Sequence, residues 1–164
     1  MKENGLQPTL FYSNSNIFPE QEYEKRKTEC ERFCKEMSID FVEDPYTHGE
    51  WLSEVGSGRE TAPERGARCL ECFRYRLLRA ATFAATEGFN LLTTTLASSR
   101  WKSLEQINEA GEWACETVSR NDTKVQWWNI NWRKGGLQER RGEIVKERGF
   151  YNQLYCGCEF SMTR

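Results

Sequence analysis

The spacing of apolar positions changes along the chain, and each change marks an element. Leu10, Phe11 and Tyr12 form a short apolar run ending in the polar cluster Ser13-Asn14-Ser15-Asn16, which predicts a strand running into a loop. Pro19 opens a helix, where its missing N–H costs little, and Glu20 and Glu22 in the first turn suit the helix dipole. Tyr23, Lys27, Cys30, Cys34 and Met37 follow at helical spacing with Phe33 beside them, predicting one buried stripe. Ile39 to Val42 predicts a second strand. A helix near Glu50 to Val55 leads into a loop punctuated by Gly56, Gly58, Pro63 and Gly66.

The longest predicted helix runs from Ala67 to Glu87, rich in Ala, Leu and Arg and closed by Gly88. Phe89 to Thr95 reads as a buried strand, Leu104 to Ser119 as a helix, Val125 to Ile130 as a strand, and Leu137 to Arg148 as a final helix stopped by Gly149. Strands alternating with helices predict an α/β fold, a parallel sheet with flanking helices. With no internal repeat and no low-complexity linker, residues 1–164 read as a single α/β domain.

Composition narrows the setting. The hydrophobic fraction is 38%, so with six Trp much of the burial must come from a few large side chains. No apolar run approaches the ~18 residues of a membrane span, and the opening MKENGLQPTL lacks a secretory core. Seven cysteines, an odd number without a signal peptide, argue for metal or redox chemistry in a reducing compartment, hence a cytoplasmic protein. The near-neutral total charge hides an asymmetry: residues 1–60 carry 7 Lys and Arg against 13 Asp and Glu, residues 61–119 carry 7 against 7, and residues 120–164 carry 9 against 5. A basic C-terminal third leaves room for an anionic partner on one face.

The cysteines divide by context. Cys30 and Cys34 share a helix face in register with Tyr23 and Met37, and Cys115 neighbours Trp113 and Ala114; all three read as packing residues. Cys69-Leu70-Glu71-Cys72 differs, because a C-x-x-C step lets two thiolates converge on one metal or cluster. Its place at a helix start, with Arg65, Arg68, Arg74 and Arg76 nearby, favours thiolate. Cys156-Gly157-Cys158 is a second pair, either a strained and labile disulfide when oxidised or two metal-facing thiolates.

Other candidates are polar. Thr93, Thr94 and Thr95 close the Phe89 strand and lead to Ser98, Ser99 and Arg100, at the strand end where open parallel sheets bind ligands; hydroxyls and an Arg there suit a phosphate or a polar substrate group, and plain β-propensity of Thr is the alternative. Trp132-Arg133-Lys134-Gly135-Gly136 offers cations for phosphate and an indole for a base, or else a solvated basic loop. His48, beside Gly49 in a loop, reads as a surface residue without a catalytic partner.

Together these pieces resemble the QueH-type epoxyqueuosine reductase family across almost the whole chain. Asn14-Ser15-Asn16-Ile17-Phe18-Pro19 with Glu22-Tyr23 and Lys25-Arg26 is similar to the family's N-P-N-I-x-P…E-Y-x-K-R stretch, with Ser15 in place of its first Pro. Arg68-Cys69-Leu70-Glu71-Cys72-Phe73 with Arg76-Leu77 matches R-C-x-x-C-F-x-x-R-L, and Thr93-Thr94-Thr95-Leu96 with Ser98 matches T-T-T-L-x-x-S. Lys134-Gly135-Gly136 resembles its basic glycine loop and Tyr155-Cys156-Gly157-Cys158 its terminal Y-C-G-C.

The resemblance implies a HUP-like fold related to adenine-nucleotide α-hydrolases, and reduction of epoxyqueuosine to queuosine at the tRNA wobble position. It implies a 4Fe-4S cluster with Cys69 and Cys72 among its ligands, and a second iron. Cys156 and Cys158 would be a redox-active pair or ligands of that iron. The partners would be a tRNA anticodon loop and an electron donor, with Thr94, Thr95, Ser98, Arg133 and Lys134, and also Arg140 and Arg141, toward the tRNA. Family members begin with a strand ending in Cys-Cys, which has no counterpart here, so the first βα unit is expected to be missing and full activity of this chain is not expected. Three other readings remain: a structural zinc site of Cys69, Cys72, Cys156 and Cys158, a metal-free thiol–disulfide oxidoreductase, and an inactive tRNA-binding remnant.

Overall fold

The computed structural model describes residues 5–119 and 124–162. The opening segment read for a secretory core begins with residues 1–4, which lie outside the described residues. The chain separates into two compact units: one takes the residues up to Leu52 together with those from Phe150 on, and the other spans Ser53–Gly149.

In the first unit, β1 (Thr9–Tyr12) pairs in parallel with β2 (Asp40–Glu43), Thr9 opposite Asp40 and Tyr12 opposite Glu43, and α1 (Glu20–Met37) makes the crossover. Pro19 caps α1, and Ser38 ends it in the left-handed region, its N–H returning to Lys35 O while Ile39 N bonds Cys34 O. Tyr12, Ile17 and Tyr23 form the core, with Leu10, Cys30, Phe41 and Tyr46 against it. The predicted stripe is realised by Tyr23, Cys30 and Cys34 and departs at two positions. Met37, in the last turn, is exposed, and Lys27 carries its ammonium out to Glu24 and Glu43. Between β2 and the second unit, α2 (His48–Trp51) runs into a π turn over Leu52–Gly56, where a plain helix was expected.

In the second unit, α3 (Ala67–Thr86) packs on α4 (Leu104–Val118). Phe73, Leu77 and Ala81 of α3 meet Ile107, Ala110 and Ala114 of α4, with Ala97 closing the cluster. Small residues on α4 let its backbone approach its neighbours. At Gly111 the approach is tightest, because an added Cβ would overlap the Trp127 ring. β3 (Leu91–Leu92) and β4 (Gln126–Trp127) pair in parallel and are far shorter than the strands predicted. Phe89 N is drawn back to Ala84 O at the end of α3, and the Thr94 hydroxyl accepts from Leu96 N to start a 3-10 turn over Thr95–Ser98. Beyond β4, Ile130 N folds back onto Trp128 O. Turn chemistry at each end thus outcompetes the β-propensity of Thr and Trp. α5 (Leu137–Glu147) forms where expected and buries no side chain.

Each unit therefore holds a two-stranded parallel sheet with helices against it, an α/β architecture. No helix among the described residues is long and apolar enough to cross a membrane.

Gly111→Ala should lower stability by about 1–3 kcal/mol through overpacking against Trp127. The check is a urea denaturation series, with the midpoint falling at unchanged slope.

Candidate functional site: two cysteine pairs

Cys69 and Cys72 occupy the first turns of α3, both half-buried. Arg65 precedes them in the left-handed region (φ 63°), which turns its N–H onto Cys69 Sγ at 3.3 Å. The Arg65 guanidinium donates to Arg100 O (2.9 Å) and Trp101 O (3.0 Å), pinning the loop that leads to α4. Two of the arginines expected to bathe this pair in positive charge are committed elsewhere. Arg68 is buried, with Nη1 on Arg59 O (2.6 Å) and Glu60 O (3.0 Å), and Arg74 is ion-paired to Glu71 (3.0 Å) and Glu109 (2.6 Å). What remains beside Cys69 is the Arg65 main-chain N–H and the N-terminus of α3.

The structure brings the Thr94–Ser98 turn and the Arg133 loop together. Arg133 donates from Nε to Ala97 O and from Nη2 to Lys102 O, each at 3.0 Å. Burial, and then the charge of Arg65, hold the Arg133 guanidinium below its ordinary pKa. Trp132 is not presented to solvent as a stacking surface. Its indole N–H bonds Thr94 O (3.1 Å), its ring stands edge-on to Trp128 at 5.7 Å, and it packs against the α3–α4 core. The Thr94 and Ser98 hydroxyls serve local backbone, Thr94 accepting from Leu96 N (3.3 Å) and Ser98 donating to Thr95 O (2.8 Å). Thr95 and Lys134 are exposed, and Arg140 pairs with Glu143 at 3.0 Å.

In the first unit, Cys156 and Cys158 flank a tightly held glycine. Gly157 (φ +130°) gives its carbonyl to Phe18 N (2.9 Å), and an added Cβ would lie 3.1 Å from Arg26 Nη1, Asn16 Nδ2 and Ile17 Cγ1. Only glycine fits there. Arg26 on α1 donates from Nη1 to Cys156 O (3.1 Å) and from Nη2 to Tyr155 O (3.3 Å), while its Nε is ion-paired to Glu22 at 2.8 Å. Tyr151 donates to the same Glu22 carboxylate, and Tyr155 donates its hydroxyl to Phe18 O. Ser161 donates to Cys158 O at 2.7 Å. The sequence placed Glu22 in the first helical turn and both residues in one motif, and their i, i+4 spacing on one helix face marks them as partners, a pairing not drawn from it.

His48 corrects the surface-residue expectation. Its side chain is only 14% exposed and stacks with Phe18, Tyr46 and Trp51. Nδ1 faces Ser15 O at 2.8 Å and Nε2 faces the Glu159 carboxylate at 2.9 Å. The partners lie 33 and 111 residues away, which is why local sequence hid them. The ring thus bridges a main-chain carbonyl and a carboxylate, one on each nitrogen.

A 4Fe-4S cluster or a closed tetrahedral zinc takes four protein ligands. Among the described residues no group of three or more His, Cys, Asp or Glu side chains is assembled for a metal. Neither cysteine pair therefore completes such a ligand set by itself. The buried Asn16 Oδ1, which has no hydrogen-bond partner among the described residues, is a polar position left unfilled beside the Cys156–Cys158 hairpin.

The geometry defines the class: an α/β protein with two partly accessible cysteine pairs, one at a helix start and one in a clamped hairpin. Comparison with known proteins makes this specific. Residues 1–164 match the family model for epoxyqueuosine reductase QueH. The epoxyqueuosine reductases QueH of Histophilus somni (strain 129Pt) and of Haemophilus influenzae (strain ATCC 51907 / DSM 11121 / KW20 / Rd) are each 41% identical over 159 residues, covering 97% of this chain and 63% of theirs. That of Acinetobacter baylyi (strain ATCC 33305 / BD413 / ADP1) is 40% identical, covering 97% of this chain and 71% of its own. The chain belongs to the epoxyqueuosine reductase QueH family, as its motifs led one to expect. It spans about 63% of the length of the first two relatives.

The remaining cysteines are set apart by burial, which pushes the Cys30 thiol up to about 12, Cys115 up to about 11, and Cys34 upward too. At pH 8 these three should resist iodoacetamide in the native protein while Cys69, Cys72, Cys156 and Cys158 react, read by peptide mapping. The folded state holds the Cys30 and Cys115 protons more tightly than the unfolded chain, whose thiols titrate near 9. Their contribution to stability is therefore complete below about pH 9 and lost as the pH rises through about 11 and then about 12. Arg26→Ala should cost about 3 kcal/mol by stranding Glu22 and freeing two carbonyls, and should speed alkylation of Cys156 and Cys158. Arg26→Lys should not restore either, since an ammonium cannot reproduce the fork.

Proposed function

We propose that this chain takes part in reducing epoxyqueuosine to queuosine at the tRNA wobble position. The observation that carries the reading is the match of residues 1–164 to the epoxyqueuosine reductase QueH family model, in a chain that carries the pairs Cys69/Cys72 and Cys156/Cys158. Converting the epoxide to an alkene breaks two C–O bonds, forms C=C, and consumes two electrons and two protons, the oxygen leaving as water.

Cys69 and Cys72 would hold two positions of a 4Fe-4S cluster, whose chemistry when bound is delivery of single electrons from a donor outside the chain. The other ligand positions lie beyond this pair. Cys156 and Cys158 serve as a dithiol that releases two electrons and two protons on oxidation, or as ligands of a second iron. The Arg26–Glu22 clamp fixes the carbonyls of Tyr155 and Cys156, and the His48–Glu159 pair fixes the turn that follows. Thr94, Thr95, Ser98, Arg133 and Lys134 would contact the tRNA. The parallel β1–α1–β2 crossover is compatible with the HUP-like fold, and a cytoplasmic setting keeps accessible thiols reduced.

The test is anaerobic incubation of the full chain with epoxyqueuosine-bearing tRNA and a low-potential reductant, followed by nucleoside mass spectrometry and metal analysis. Queuosine should form, and single Ala substitutions at Cys69, Cys72, Cys156 or Cys158 should each lower the rate by at least ~100-fold. Persistence of epoxyqueuosine with the intact chain, or one zinc per chain without iron, overturns the reading.

A further inference from the structure

The second unit carries an open cleft of about 520 Å³ next to Cys69, within the range of ligand sites (~300–1,000 Å³). Arg65, Arg100, Lys102 and Arg133 line it against one carboxylate, Glu105. Arg65 ties the cleft to the cysteine pair, because its main-chain N–H meets Cys69 Sγ while its side chain lines the cleft. Arg133 spends Nε and Nη2 on carbonyls and keeps Nη1 over. No carboxylate is ion-paired to Arg65, Arg100 or Arg133 among the described residues, and the lining cations outnumber the one lining carboxylate, Glu105.

At the rim, between Arg100 and Lys102, stands Trp101, 79% exposed. Its carbonyl is held by Arg65 Nε at 3.0 Å, so the indole projects from a fixed backbone. An indole left in water is an apolar surface without a partner. Flanked by cations, it has the makings of a single-stranded nucleic-acid platform, an aromatic face for a base beside positive charge for the phosphates.

We propose that this cleft binds unpaired RNA, with a base stacked on Trp101 and the adjoining phosphates held by Arg100, Lys102 and Arg65. The assignment rests on the tRNA reading above and gives the stacking role expected of Trp132 to Trp101. Loop nucleotides are favoured over duplex because a paired base offers no free face.

The experiment titrates the full chain with a 17-nucleotide anticodon stem-loop, with the same stem closed as a blunt duplex, and with anionic phosphatidylserine vesicles. Quenching of indole fluorescence and filter binding are the readouts. The stem-loop should bind more tightly than the duplex. Trp101→Ala should weaken it roughly 5- to 150-fold, and Trp101→Phe should retain most of the affinity. Arg100→Ala should reduce the salt dependence of log K by about 0.7 per lost phosphate contact. Far-UV circular dichroism should be unchanged, since Trp101 packs against little. Absence of stem-loop binding, equal affinity for duplex, unchanged affinity of Trp101→Ala, or preference for vesicles overturns the proposal. If epoxyqueuosine is reduced but Trp101→Ala binds like the parent, this proposal fails and the reductase reading stands. If Trp101-dependent loop binding persists without reduction, the reverse holds.

Discussion

Arg26 spends one guanidinium on three neighbours: the Glu22 carboxylate one turn back on α1, and the carbonyls of Tyr155 and Cys156. With the pair only about a tenth exposed, each partner would be costly to desolvate alone. The hairpin bearing Cys156 and Cys158 has no ladder of its own. Its shape is imposed from α1 and from the Asn16–Phe18 loop, which crowd Gly157 to 3.1 Å from where a Cβ would stand, at a φ of +130° that suits glycine. Tyr151, Tyr155 and the His48–Glu159 pair repeat the same device, each fixing the terminal segment by a polar contact rather than by apolar burial. The backbone on both sides of Gly157 is thereby held by side chains from elsewhere in the unit.

The second unit sorts its positive charge by use. Arg68 and Arg74 are consumed in building the α3 region, Arg68 by closing the Arg59–Glu60 loop and Arg74 by bridging Glu71 and Glu109. Arg65 and Arg133 do two things at once, pinning the segments around Ala97 and Trp101 while adding charge to one cleft. Charge counted over a stretch of sequence cannot make that distinction. The field that a ligand meets depends on which cations already have anions beside them.

The helices were the most legible part of the sequence. Their spacing is a local property, and α1, α3, α4 and α5 fall within a residue or two of expectation. The strands were less so: Phe89–Thr95 and Val125–Ile130 shrink to two residues each because hydroxyl and backbone bonds at their ends capture the flanking groups. Of the candidate site, both cysteine pairs and their separation from Cys30, Cys34 and Cys115 were readable, since C-x-x-C at a helix start and C-G-C are local patterns. His48 was misread, the pairing of Arg26 was not drawn and Trp101 was given no role, because their partners are far along the chain or consist of nothing but exposure.

What the sequence determined by itself was therefore periodicity and motif: an α/β order of elements, membership of the family, and which thiols have the spacing for chemistry. What the tertiary structure alone decided was which charges are free to act, which indole is buried and which bare, and how a histidine finds a carboxylate 111 residues away. The reason is physical. Helix formation and cysteine spacing depend on neighbours within a turn, whereas burial, ion pairing and exposure are properties of surfaces that exist only after distant segments meet.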